Sequence, residues 1–520
     1  MILIRQIKIP INSNQLKEKV SERLLINASF INKIIINKRS IDARYKPKLY
    51  YIYEVLVSVY DEDKVLSKIK DKDIMKAPPI DYKYQVSGNK KIENKIIIIG
   101  SGPAGLFCAY LLSLNGYKTT IIERGDKVEN RVKDVNCFFN GGKLNLESNV
   151  QFGEGGAGTF SDGKLNTLVK DKNNRIKFIL KTFVECGANE DIMYDNKPHI
   201  GTDILRDVII NLRKKIIANG GEFIYNTKLI DINISDKVNS IKLSNGKVVK
   251  TNLLVLAIGN SARDTFRMLS CKNIEIKSKP FAIGVRIQQS QKLINKSQYG
   301  GDILTASYKL TYKSSNNRGV YTFCMCPGGY VVNASSEHEK LVINGMSNYK
   351  RESANANSAI VVTVNDKDYG KNPLDGLKFQ EKIENIAYNC CKGKIPVQLY
   401  EDFKRGQKSL NFKDVKPVMK GDYEFYDINR ILPNYITDAL KEGIDYFSRK
   451  INGFSKSAII SAVETRTSSP IRIVRNFDME AIEGLYPIGE GAGYAGGITS
   501  SALDGLKCAE KIMLKYKKNN

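Results

Sequence analysis

Apolar and polar positions along this chain change period several times, and each change marks an element. Ile2 to Ile9 alternates as a strand does. From Gln15 to Leu25 the apolar residues Leu16, Val20 and Leu24 share one helical face, with Asn14 placed to cap it. Phe30 to Ile36 and Leu49 to Tyr60 are rich in Ile, Val and Tyr and predict strands. A charged helix is predicted over Asp61 to Lys70. The order β-α-β-β-α predicts a small α+β domain over residues 1–85, and Ala77-Pro78-Pro79 predicts a linker.

From 93 to 270 strands and helices alternate, which predicts an α/β unit with a parallel, doubly wound sheet. Leu253 to Ile258 is a continuous apolar run, as expected of a strand buried on both faces. Thr202 to Ala218 predicts a helix closed by Gly220-Gly221. Phe223 to Tyr225 and Ile241 to Leu243 predict strands, with a hairpin turn at Ser244-Asn245-Gly246-Lys247. From 271 to 454 helical periodicity thins and short strands dominate, among them Phe281 to Gln288, Tyr321 to Cys324 and Ala359 to Val364. That predicts an inserted substrate or cap domain on a mixed or antiparallel sheet. The α/β pattern returns over 455–520, with a strand at Leu485 to Ile488 and a helix at Ile498 to Tyr516. A dinucleotide-binding fold is thus interrupted and later completed.

Composition narrows the class. A chain of 520 residues predicts two or three domains, and 42% hydrophobic with 26% charged residues is globular. Nine cysteines are too sparse for a disulfide framework and fit a reducing cytoplasm. Arg5 and Lys8 interrupt the apolar start, so no secretory signal is expected. Ile96 to Tyr117 is uncharged and long enough to span a bilayer. Gly100, Gly102, Pro103 and Gly105 put a turn in its middle, so a strand, a turn and a helix are expected, and no membrane. The net charge of +26 would attract nucleic acid or acidic membranes. Its lysines are dispersed, with no run of five or six like charges, which favours a solvated basic surface over a nucleic-acid partner.

Two glycine motifs carry the chemistry. Ile96 to Ile99 runs into Gly100-Ser101-Gly102-Pro103-Ala104-Gly105, a G-x-G-x-x-G between a buried strand and a helix. The glycines permit the tight turn and a close approach to pyrophosphate, which would sit at the helix N-terminus. The next strand ends at Glu123, 18 residues after Gly105, where a carboxylate can accept ribose hydroxyls, and Arg124 follows as a further candidate. The second motif runs from Leu485 through Gly489-Glu490-Gly491-Ala492-Gly493 to Gly497-Ile498-Thr499 at the last helix. It resembles the second FAD contact of glutathione-reductase-type flavoproteins. There the acid, here Glu490, binds near the ribityl-pyrophosphate region, and the helix opening at Gly497 and Ile498 faces the flavin pyrimidine ring. Leu254 to Ser261 resembles the mid-chain strand of that superfamily, marked by Gly259.

The stretch Phe152 to Leu165 holds Gly155, Gly156 and Gly158 among small residues, a backbone suited to close approach to a ligand. It, Lys197 to Asp203, Lys279 to Arg286, Phe323 to Tyr330 and Ser40 to Arg44 are similar to an uncharacterised bacterial family of FAD-dependent dehydrogenases. The resemblance covers nearly the whole chain. It implies a glutathione-reductase-type FAD fold and FAD binding, and names no substrate.

Reactive residues are less distinct. Cys324 and Cys326 form C-x-C beside Pro327-Gly328-Gly329. A dithiol there could shuttle electrons or bind a metal, but two thiols on one face of a strand is the expected reading, since closing C-x-C as a disulfide would strain the backbone. His199 could donate a proton or belong to the helix start at Thr202. No cysteine or histidine spacing points to a metal. The expected function is an FAD-dependent oxidoreductase on a small-molecule substrate. No G-x-G-x-x-G outside the elements assigned to FAD opens a further strand–helix–strand unit, so no dedicated NAD(P)H domain is expected and NAD(P)H is a transient electron donor at most. The alternatives are a flavin-dependent RNA-modifying enzyme or a non-catalytic FAD-binding scaffold.

Overall fold

The computed structural model describes residues 1–79 and 81–518. The N-terminal unit consists of β1 (Ile2–Pro10), α1 (Leu16–Leu24), β2 (Ile31–Tyr45), β3 (Lys48–Val59), α2 (Glu62–Ser67) and β4 (Ile74–Lys76). Its strands form an antiparallel sheet in the order β2-β3-β1-β4. β4 escapes the sequence reading because three residues carry too little period. Gln15, not Asn14, stands at the start of α1, and no side chain caps it. Asp61 does cap α2, accepting from the Lys64 amide.

The body opens with β5 (Ile96–Ile99), α3 (Pro103–Leu114), β6 (Thr119–Ile122), α4 (Val128–Phe139), α5 (Arg175–Glu185), α6 (Thr202–Ala218) and β7 (Glu222–Ile224). A meander follows, β8 (Leu229–Ile234), β9 (Val238–Leu243) and β10 (Val248–Lys250), then β11 (Leu254–Leu256) and α7 (Arg263–Ser270). The insert begins with β12 (Ile276–Ser278), β13 (Phe281–Ser290), α8 (Gln291–Tyr299), β14 (Thr311–Lys313), β15 (Gly319–Cys326), β16 (Tyr330–Asn333) and β17 (Ile343–Met346). It continues through β18 (Asn355–Val364), α9 (Asp366–Tyr369), α10 (Asp375–Cys391), β19 (Ile395–Leu399), α11 (Tyr400–Arg405), β20 (Met419–Lys420) and β21 (Tyr423–Phe425). Then come α12 (Asn434–Lys450), β22 (Ile459–Glu464) and β23 (Ile471–Ile473), and the body resumes with β24 (Leu485–Pro487) and α13 (Ile498–Lys515).

The body sheet is parallel, in the order β24-β11-β5-β6-β7. Leu254 lies opposite Ile97 on one side and Leu485 on the other. The last strand thus completes a sheet begun some hundreds of residues earlier, as expected of an interrupted α/β dinucleotide fold. Each residue of β5 is buried, which is why the strand reads as an unbroken apolar run. α3 packs against α13, and Gly505 permits the approach: a Cβ there would lie 2.1 Å from the Ala104 carbonyl oxygen.

The insert is a seven-stranded sheet, β14-β15-β18-β13-β22-β19-β21, antiparallel except for the β19–β21 pair. Two expectations are corrected here. The insert does not give way to the α/β pattern at 455, because the wholly buried β22 pairs with β13 and β19 inside this sheet. The region also carries two helices of 17 residues, α10 and α12. In α12 the buried Ile436, Leu440, Ile444 and Phe447 recur at helical spacing, a signal the surrounding strand residues masked.

Tyr82, Gly88 and Lys90 are docked on the body. The Tyr82 ring lies 5.0 Å from that of Phe178 on α5, and its hydroxyl donates to Glu510 on α13 at 2.6 Å. The amides of Gly88 and Lys90 donate to the Met513 and Lys515 carbonyls.

Candidate functional site

At the carboxyl ends of β5, β11 and β24, where the insert's β15 and β22 meet the body, lies a cavity of about 380 Å3. Of the candidate residues, Gly100, Gly102, Pro103, Ala104, Glu123, Arg124, Gly156, Gly158, Gly259, Gly489, Glu490, Gly497 and Ile498 line it.

The first turn is shaped by glycine. Gly100 has φ +97°, and a Cβ on it would sit 2.4 Å from the Ala257 carbonyl oxygen. Gly102 differs: its backbone is extended, and a Cβ would stop 3.8 Å from Gly156 Cα. Space beside Gly102 therefore belongs to the cavity, at the N-terminus of α3, where an anion is favoured. Gly105 does not line the cavity. A Cβ there would meet the Gly100 oxygen at 2.0 Å, so its role is strand–helix packing.

Glu123 accepts from the Ser101 amide at 2.9 Å, the Ser101 hydroxyl at 2.7 Å, the Gly125 amide at 3.0 Å and the Gly153 amide at 3.1 Å. These donors occupy about all the lone pairs a carboxylate offers. Besides facing the cavity, Glu123 ties the 100–105 turn to the 153–158 loop. Arg124 stacks on Phe152, 3.9 Å from the ring centre, and pairs with Glu147 and Asp264.

The 153–158 loop is organised from behind by Arg131, which the sequence reading missed. Its fully buried guanidinium donates to the carbonyl oxygens of Asn149, Val150, Gly153, Glu154 and Gly156. Burial pushes it down to about 10, so it stays charged at neutral pH. With the Gly156 carbonyl turned inward, Gly156 and the following Gly158 line the cavity. Gly155 is corrected: it points into the core, where a Cβ would meet Thr159 Oγ1 at 2.1 Å, and its amide donates to the Ser101 carbonyl.

The third turn is held by Asp504, which accepts from the Gly489 amide at 2.8 Å and pairs with Arg475. Glu490 faces the cavity and accepts from Asn260 Nδ2 at 2.9 Å. Removal from water pushes its carboxyl up to about 7, with Lys279 opposing the rise. Positions 259 and 496 would leave a Cβ in open space. A ring of bare backbone, a helix N-terminus and a buried acid short of donors fit a dinucleotide with a polyol chain.

At the end near Ile498 the cavity is walled by Lys164, Phe323, Cys324, Asn344, Glu464 and Arg466. Lys164 Nζ lies 3.3 Å from Asp162, which also pairs with Arg351 and accepts from Ser347. Glu464 receives both arms of the fully buried Arg286 at 2.9 Å. An arginine inside the apolar run Phe281 to Ile287 was the available sequence signal for this pair. His199 does not line the cavity: its ring stacks on Tyr349 and its Nε2 lies 2.9 Å from the Tyr349 carbonyl oxygen. Burial holds it below its ordinary value. Among the described residues no cluster of His, Cys, Asp and Glu is placed to hold a metal, and no helix is long and apolar enough to cross a membrane.

Residues 280–467 match the family described as "FAD-dependent protein, C-terminal domain-like" and residues 98–144 an "NAD(P)-binding Rossmann-like domain". Residues 1–58 match a domain of unknown function. The chain is 46% identical over 516 residues to an uncharacterized protein of Clostridium beijerinckii, spanning 97% of this chain and 96% of that one. It is 26% identical over 140 residues to an L-amino-acid oxidase of Siganus canaliculatus, 24% of this chain and 26% of that one. L-Proline dehydrogenase from P. horikoshii is similar in structure at a TM-score of 0.36 and 13% identity, over 81% of this chain and 93% of that one. Glycine oxidase from Geobacillus kaustophilus is similar at 0.37 and 10%, over 83% and 96%.

Proposed function

Because the chain belongs to an uncharacterised family of FAD-dependent proteins, with FAD as its cofactor, we propose that it is an oxidoreductase acting on a small organic substrate held where the insert faces the flavin. One observation carries the reading: glycine turns from three distant parts of the chain line a single cavity whose far wall belongs to the insert. It also supports the finer reading of a glutathione-reductase-type arrangement. The α3 N-terminus at Gly102 would take the pyrophosphate, Glu490 the ribityl hydroxyls, and Gly497 and Ile498 the pyrimidine side of the ring.

Bound FAD supplies electron-pair chemistry, and the residues around it orient, charge and shield. The N-terminus of α13 and the Lys164 ammonium would favour negative charge at the reacting end. Phe323 and Ile498 would keep water from it. The Arg286–Glu464 pair presents a fixed polar wall without net charge. A nicotinamide donor would visit this end and leave, because every G-x-G-x-x-G of the chain, at 100–105, 153–158 and 491–496, lies in the elements assigned to FAD.

The test is flavin content. Purified protein is expected to carry FAD at about one per chain, without a covalent link. Gly102→Val should fold, since a Cβ there clears the protein, yet bind FAD at least about tenfold more weakly. A folded variant with full flavin content would overturn the site, as would a nicotinamide dinucleotide in place of FAD.

A further inference from the structure

We propose that Cys324 and Cys326 are a redox-active dithiol that exchanges an electron pair with the bound flavin. The proposal rests on FAD occupying the cavity, which the flavin content tests separately.

The backbone is bent to place the pair. β15 pairs regularly with β18 from Val320 opposite Val362 to Phe323 opposite Ala359, then slips and resumes with Cys326 opposite Asn357. Cys324 sits in the slip with φ +43°, in the left-handed region that side-chain-bearing residues rarely adopt. Without the bend, residues two apart on a strand would share a face but stand too far apart to bond. With it, Cys324 reaches the cavity wall between Phe323 and the Glu464 side, and Cys326 is fully buried behind it.

The slip turns the Cys326 sulfur back toward Cys324. Cys326 Sγ lies 3.3 Å from the Cys324 carbonyl oxygen and 3.8 Å from Lys164 Nζ. Arg286 donates to the same Cys324 oxygen at 3.3 Å. The charged groups facing the pair are thus Lys164 with Asp162 and Arg286 with Glu464. The Cys326 thiol, then Lys164 and Arg286, hold Cys324 well below the usual thiol range against its burial, and the same coupling pushes Cys326 up. One thiolate and one thiol are what an exchanging pair requires.

A disulfide across C-x-C strains the backbone. That strain favours exchange once an electron donor is adjacent, because a strained disulfide is the more oxidising and the more readily reduced. The step balances. Anionic reduced flavin releases two electrons and one proton, the S–S bond breaks, Cys324 leaves as thiolate and Cys326 as thiol, and the flavin is left oxidised. The reverse closes the disulfide. A two-electron donor such as a reduced nicotinamide refills the flavin.

The experiment is an anaerobic dithionite titration of the oxidised holoprotein. Thiols are counted in denaturant before and after, and any link is located by peptide mass mapping. The wild type is expected to take up about twice the reductant its flavin alone consumes, and its oxidised form to carry a Cys324–Cys326 link. Cys326→Ser should take up the flavin's share only. Its lone Cys324 thiolate should add a long-wavelength charge-transfer band to the oxidised flavin spectrum. A yellow wild type that consumes the flavin's share and gains no thiols overturns the pair and leaves the FAD site standing. So does extra uptake that maps to Cys390–Cys391 or Cys108–Cys508. A colourless wild type overturns the FAD site, and this proposal with it. These outcomes are read on the wild type, so they hold even if the variant fails to fold.

Discussion

Glu490 shows how much a single side chain here depends on what surrounds it. In flavin-free protein its carboxyl is pushed up to about 7 from an ordinary value of 4.5, mainly because it is withdrawn from water. A carboxyl raised on folding stabilises the fold fully below its unfolded value, and that contribution is lost as pH rises through the folded one. The apoprotein should therefore lose stability between about pH 4.5 and 7, by on the order of 2 kcal/mol after discounting for solvent access. Denaturant midpoints across that range should fall less steeply in Glu490→Gln, and an unchanged slope would rule out Glu490 as the source. The acid was legible as a motif position, whereas its titration comes from burial in the assembled cavity, which Lys279 and Asn260 oppose. Gly102 and Gly105 make the same point. Both were legible in G-x-G-x-x-G, and they differ in what surrounds them: a Cβ at Gly102 would stand beside the cavity, whereas one at Gly105 would collide with the Gly100 oxygen. Gly155 reads like Gly156 in sequence, yet it faces Thr159 and Ile209, because loop direction is set by Arg131 behind it.

At the scale of elements, the joint between insert and body is a buried cluster. Glu384 on α10 accepts from Arg263 on α7 at 2.7 and 2.8 Å, and from Arg466, just past β22, at 2.8 and 3.1 Å. Thr465 adds a third donor at 2.6 Å. Against the cost of burial, the two arginines hold this carboxyl well below its ordinary range. Glu384→Gln leaves two buried guanidiniums short of a counter-charge and should cost about 3–5 kcal/mol. Urea unfolding of the variant checks the figure, and a loss under about 1 kcal/mol would mean that water or Glu337 compensates. None of this was visible from sequence. The three residues come from far apart in the chain, and α10 was read as part of a strand-rich region. Strands and helices of the body fared better, because a parallel sheet buried on both faces leaves unbroken apolar runs such as Ile96 to Ile99.

For the whole molecule, the question is what residues 1–92 do, since none of them lines the cavity. Arg39 on β2 pairs with Asp195 and sits between the Tyr51 and Tyr194 rings, so the N-terminal unit is anchored on the body by a polar contact. A chain beginning at Asp81 should therefore fold and take up FAD. One beginning at Ser87 also loses Tyr82 from Phe178 and Glu510 and should be less stable by about 2 kcal/mol. Flavin content and thermal unfolding of the two decide it. A colourless protein from Asp81 would make the N-terminal unit part of the core. The sequence by itself determined the α/β class, the interrupted sheet, the FAD cofactor and the glycine turns on the body side of the cavity. Those features are local: a strand, a glycine turn and a helix N-terminus follow one another along the chain. Only the tertiary structure decided that Tyr82 docks on α5 and α13, that β22 belongs to the insert, and that Cys324 and Lys164 meet at one wall. Those depend on segments about 60 to 430 residues apart, and no periodicity along a chain records which buried faces will be brought together.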